Sequence, residues 1–126
     1  MERKLNSNEL MIGDFVKTYH GYEIVSDIYT NSIFTKDGLW EGEEFEDGEF
    51  EPIPLTAEIL EKNGWHGNSI FMELDADENT QFSWANRCGA VLYKNGWCHC
   101  DCKYVHTLQH ALRLCGFDEL ADNFKI

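Results

Sequence analysis

The sequence predicts an α+β domain: a small N-terminal antiparallel sheet or partial barrel, one short central helix, and an antiparallel meander covered by a C-terminal helix. Two observations set the strands. Short runs of β-branched and aromatic residues fill 13–35, and a second series fills 69–104, each bounded by turn formers. A third observation sets the helices, since two segments carry helical spacing between start and stop residues.

In the N-terminal half, Phe15-Val16, Tyr22-Glu23-Ile24-Val25 and Ile28-Tyr29 are separated by Gly21 and by Asn31-Ser32. Runs this short joined by tight turns predict a strongly twisted antiparallel sheet that closes partway into a barrel. Glu41, Glu43, Glu44, Glu46, Asp47, Glu49 and Glu51 then crowd into eleven residues with Gly42 and Gly48. Like charges and glycine predict an exposed loop or loose hairpin tip, ordered on contact with a partner. Phe45 and Phe50 within it are placed to pin the segment onto the body of the domain.

Pro52-Ile53-Pro54-Leu55-Thr56 predicts an extended lead-in, because each proline fixes its own φ and pushes the preceding residue out of the helical region. The helix Ala57–Asn63 follows: Thr56 is its N-cap, Leu55 and Leu60 its hydrophobic staple, and Gly64 its stop. Next come strands at Ser69–Leu74, Gln81–Ala85 and Ala90–Tyr93, with a polar turn at Asp75–Asn79. Lys94-Asn95-Gly96 is a hairpin signal leading into Trp97–Tyr104. Val105, Leu108, Leu112 and Cys115 recur at helical spacing, so the last helix spans about Val105 to Cys115 with Gly116 as its stop.

At 126 residues the chain has the length of a single domain over 1–126, with a mainly β sub-region 1–51 and an α-β-β-β-β-α sub-region 52–126 sharing one core. Its 43% hydrophobic and 13% aromatic content is that of a folding chain. The sequence has no run apolar enough to span a bilayer and no apolar stretch after Met1-Glu2-Arg3-Lys4, so the expected location is the cytoplasm. Cys88, Cys98, Cys100, Cys102 and Cys115 form an odd set without a disulfide spacing, as in a reducing compartment. The net charge of −13, without a basic cluster, disfavours nucleic acid and anionic membranes. It fits solubility, or attraction to a basic surface.

Cys98-His99-Cys100-Asp101-Cys102 carries soft and borderline ligands of the kind zinc prefers, with His106 and His110 one helical turn apart beyond it. In a straight strand alternate cysteines lie roughly 6.6 Å apart, farther than the sulfurs of one zinc site. Buried apolar cysteines on the inner face of the sheet are the competing reading. His99 and Asp101 then face the other way, where His106 and His110, on the polar side of the last helix, meet them. His106-Thr107-Leu108-Gln109-His110 lacks the glutamate of the zinc-protease motif, and Asp75-Ala76-Asp77-Glu78-Asn79 lacks the glycine and final glutamate of a calcium loop. No nucleophile stands beside a base, no glycine loop cradles phosphate, and no enzyme is expected.

Asn8-Glu-Leu-Met-Ile-Gly-Asp-Phe-Val16, Pro52-Ile-Pro-Leu-Thr56 and Val105-His-Thr-Leu-Gln109, in that order, resemble the pattern of a family of short proteins from Bacteroidetes and their phages. The pattern runs from an Asn-x-Leu-x-Ile-Gly opening through a Pro-Ile-Pro-Leu-Thr lead-in to a Val-His-x-Leu-Gln helix. Asn63-Gly64-Trp65 stands where the family ends its helix with Gly-Phe, and Ala111–Gly116 departs from the family's Leu-Tyr-Phe-Ala-Leu-Thr-Gly. The resemblance implies a bacterial or phage setting. It carries no activity or site residue, and the cysteine string and acidic stretch lie outside it.

The leading functional expectation is a non-enzymatic binding protein. It would engage a protein partner through acidic and aromatic surface at Glu43, Glu44, Phe45, Glu46, Asp47 and Phe50. One alternative is a small-molecule or nucleotide sequestering protein, with a tryptophan- and tyrosine-lined pocket between sheet and helix or across a homo-oligomer interface. The other is a metal protein, with zinc held by Cys98, His99, Cys100, Asp101, Cys102, His106 and His110.

Overall fold

The computed structural model describes residues 5–37, 40–78, 80–86, 90–93 and 99–126, with backbone alone at 37, 40–42, 90–93 and 99–101. It has the predicted α+β architecture, with two antiparallel sheets, three α-helices and a short 3-10 helix at Ser7–Glu9 among these residues.

Strands β1 (Phe15–Thr18), β2 (Gly21–Ile28), β3 (Ser32–Asp37) and β4 (Trp40–Glu46) form the first sheet in sequence order. The period of two turns Val16, Val25, Ile33 and Phe45 to one face, where they pack with Leu5, Leu10 and Phe50. Register shifts between Val25 and Asp27 and between Thr35 and Asp37 bend the sheet. The chain leaving β4 then returns to β1: Lys17 N donates to Glu51 O at 2.9 Å, and Glu51 N donates to Lys17 O at 2.8 Å. The sheet is thereby partly closed over its apolar face, as the short runs predict.

The acidic stretch is not a loose loop. Its first half is β4, and the chain turns only at Asp47-Gly48, where Gly48 has φ +95°. Glu44-Phe45-Glu46 is an alternating strand pattern, and pairing Phe45 with Ile33 inside the sheet outweighs the repulsion of carboxylates left in water.

Helix α1 (Ala57–Lys62) starts and stops as the sequence predicts. Thr56 Oγ1 accepts from Ile59 N at 3.2 Å, and Leu55 and Leu60 are buried. At the other end Trp65 N donates to Leu60 O and Gly64 N to Glu61 O, both at 3.1 Å, a Schellman ending around Gly64 at φ +87°.

The second sheet orders β5 (His66–Gly67), β6 (Phe71–Asp77), β7 (Thr80–Ala85), β8 (Ala90–Tyr93) and β9 (His99–Asp101). This is the predicted meander with the two-residue β5 added at one edge. The polar turn starts only at Glu78, since Asp75 and Asp77 still pair with β7. The hairpin expected at Lys94-Asn95-Gly96 and the start of the strand expected over Trp97–Tyr104 lie outside the described residues, and the described part of that strand is β9, which ends at Asp101. Helix α2 (Val105–Leu114) lays Val105, Leu108, Ala111 and Leu112 on a cluster that includes Met72, Phe82 and Trp84. A third helix, α3 (Asp118–Asp122), was not predicted, because five residues are too few to show a period.

The buried apolar side chains form two clusters, one inside the first sheet and one between α1, α2 and the second sheet. Phe15 of β1 packs against the second cluster. Around it the two halves are joined by polar contacts from α2, described below.

Candidate functional site

β4 is the edge strand of the first sheet. Asp47 N donates to Asn31 O at 2.9 Å, so in the antiparallel alternation Glu44 and Glu46 turn their backbone groups away from β3. The outward N–H of Glu46 is taken by Glu49 Oε1 at 2.8 Å. The edge is thus blunted by its own side chains, and carboxylates are what it presents.

The carboxylates differ in what they hold. Glu43 accepts from Tyr19 Oη at 2.5 Å and meets His20 Nε2 at 2.5 Å, which ties β4 to the β1–β2 turn. Glu44 accepts from Ser32 Oγ at 3.0 Å, and Asp47 Oδ1 accepts from Ser7 N at 3.0 Å. Glu44, Glu46 and Asp47 line an open recess of about 460 Å³ with Asn31 and Ser32. Glu43, Glu44, Glu46 and Glu49 are exposed.

Hydrogen bonds from Tyr19 first and His20 second hold the Glu43 carboxyl below its ordinary range. The same contact with Glu43 pushes the Tyr19 phenol up, followed by burial and the charges of Glu43, Glu23 and Glu49.

Phe45 and Phe50 are corrected as contact residues. They are 1% and 0% exposed and belong to the cluster inside the first sheet, because burying two aromatic rings is what fixes the acidic segment. Of the six predicted residues, Glu43, Glu44 and Glu46 are exposed and Asp47 is half-buried.

Behind Glu43 the inner face of the sheet carries a buried carboxylate that the sequence reading missed. Glu23 is 5% exposed and accepts from Thr18 Oγ1 at 2.7 Å and from Thr35 Oγ1. Two hydroxyl donors supply what a desolvated carboxylate needs. Its position inside Tyr22-Glu23-Ile24-Val25, opposite Val16, was the only available signal.

Of the proposed metal ligands, His106 and His110 come together among the described residues, with ring centroids 5.6 Å apart, and no third ligand joins them there. Cys98 lies outside the described residues, as do the side chains of His99, Cys100 and Asp101, whose backbone forms β9. Cys102 is fully buried in the second apolar cluster, the fate expected of a small hydrophobe. His106 and His110 are not on the polar side of α2. His106 is 2% exposed and stacks on Tyr104 with centroids 5.9 Å apart, while His110 Nε2 meets Asp14 Oδ2 at 2.5 Å. The N-terminal segment covers that side of the helix, so it faces protein. Among the described residues no three His, Cys, Asp or Glu side chains are placed to hold a metal ion.

What α2 does instead is join the halves. Asp14 is fully buried and accepts from Arg113 Nη1 at 2.6 Å and Met11 N at 2.8 Å. Gln109, also fully buried, accepts from Phe15 N at 2.9 Å and donates to Gly13 O and Ala121 O at 3.0 Å each. Val105 N donates to Ile53 O, and Leu55 N to Lys103 O, at 2.9 Å. The three sequence stretches singled out above therefore meet around the first turns of α2, where their work is structural.

Compared with protein-family models, with curated proteins and with solved structures, the chain matches none.

Proposed function

We propose that this protein acts by binding, without catalysis, and that its partner is a protein with a basic surface received by the carboxylates of β4 and its turn. The observation that carries this reading is the anchoring of Phe45 and Phe50. Their burial holds Glu43, Glu44, Glu46 and Asp47 in a fixed array on an edge whose backbone is already blunted. A fixed array loses less conformational entropy on association than a loose loop does, and its long-range field speeds encounter with a cationic surface.

The chain-wide charge of −13 works in the same direction and against polyanions. No helix among the described residues is long and apolar enough to cross a membrane. With the resemblance to proteins of Bacteroidetes and their phages, the reading places the partner in a bacterial cytoplasm.

Zero-length carbodiimide coupling in host extract tests this, because it joins a carboxylate to a lysine only where the two touch. The expected products link Glu44 or Glu46 to lysines of one protein. Products scattered over many proteins, or confined to carboxylates away from β4, would remove the acidic edge from the account.

A further inference from the structure

We propose that the cleft under the end of α1 is a binding site for a small amphiphilic anion, a molecule with an apolar body and a single negative charge. The cleft measures about 400 Å³ and lies between the last turn of α1, β6 and the α3 segment. That is at the small end of the usual range for ligand sites, about 300–1,000 Å³.

Its floor is apolar. Trp65, Leu112 and Phe124 are 3%, 1% and 5% exposed and reach the cleft beside the half-buried Leu74 and Leu120. Its rim is cationic, which is unusual in a chain with 10 basic and 23 acidic residues: Lys62 and Lys125 stand on it. The described ion pairs use His20, His66, His110 and Arg113, and among the described residues neither lysine joins one. Two ammonium groups that join no described ion pair, beside an apolar floor whose half-buried Leu74 and Leu120 reach the opening, match a carboxylate or sulfonate on a hydrocarbon or aromatic body.

The walls are held before any ligand arrives. Asn63 Nδ2 donates to Ile59 O at 2.8 Å and Lys125 O at 2.7 Å, while Lys125 N donates to Asn63 Oδ1 at 2.7 Å. This clasp fixes the backbone of Lys125 against α1. It also occupies one of the carbonyls at the helix's negative end, and the Schellman bonds occupy two more, which lessens their opposition to an anion. Glu119 on the same rim opposes a second negative charge, so the ligand is a monoanion rather than a nucleotide phosphate.

Anilinonaphthalenesulfonate and its uncharged analogue N-phenyl-1-naphthylamine share an apolar body and differ in the anion, so they are the probes of choice. The expected result is saturable, one-to-one binding of the sulfonate, displaced by octanoate, with amide and indole NMR shifts at Gly64, Trp65 and Leu120. Lys62→Met with Lys125→Met weakens the sulfonate roughly tenfold and leaves the neutral probe unchanged, as for loss of a charge-assisted contact. Both lysines are exposed, so the variant keeps its fold, which the unchanged NMR spectrum elsewhere verifies. Non-saturating binding, equal loss of both probes, no effect of the lysine changes, or shifts centred elsewhere each overturn the site. The acidic edge on β4 is untouched by these variants, so the two readings fail separately.

Discussion

Glu43 shows how one carboxylate is shaped by its neighbours. Its folded pKa lies below the ordinary value of 4.5, so the contact stabilises the fold above that value and the contribution is lost as pH falls through the lowered folded value. Tyr19 shifts the other way: its raised folded pKa gives a contribution present below the ordinary 10.0 and lost as pH rises through the folded value. The pair therefore stabilises the β1–β2 turn against β4 only between the two titrations. Since Tyr19 is the leading cause, Tyr19→Phe moves the Glu43 midpoint, followed by carboxyl carbon NMR, up toward 4.5. A midpoint that stays put contradicts this account of the contact. Gln109→Leu leaves the partners at Phe15 N, Gly13 O and Ala121 O without their side-chain bonds, and denaturant unfolding should show a loss of about 2–4 kcal/mol. Neither role was legible in the sequence, because the partner residues lie far away along the chain.

At the scale of elements, legibility followed locality. α1 could be read almost to the residue, since Thr56, Leu55, Leu60 and Gly64 act within one or two turns of it. β4 could not, because seven carboxylates in a short stretch masked the alternation around Phe45. The same contrast predicts opposite outcomes for neighbouring substitutions. Phe45→Ala empties a site that is 1% exposed and should cost about 3–5 kcal/mol, whereas Glu44→Lys with Glu46→Lys should shift thermal unfolding little. In β5, a Cβ on Gly67 would lie 2.2 Å from the backbone oxygen of Phe71. Gly67→Ala should therefore speed amide exchange across the β5–β6 edge, because the backbone rather than a side chain must give way.

For the whole molecule, the sequence spoke to class and charge more than to assembly. Two antiparallel sheets and a covering helix follow from pattern, and the acidic character follows from the net charge of −13. The division of the apolar interior into two clusters does not, nor does their joining through Asp14, Gln109 and Arg113, since burying polar side chains depends on geometry that periodicity lacks. The cysteine string looked like chemistry because of its composition, yet Cys102, the one member whose side chain is described, lies in the core.

The measurement that bears most directly on the central claim is the affinity of the cross-linked partner for the wild-type chain and for the Glu44→Lys, Glu46→Lys variant, taken at low and high salt. The account predicts wild-type binding that weakens steeply as the screening length falls from about 10 Å at 0.1 M toward about 3 Å at 1 M. It also predicts a variant at least tenfold weaker at low salt and nearly insensitive to added salt, as when two attractive charges become repulsive. Equal affinities for the two proteins, with the same salt dependence, would contradict it.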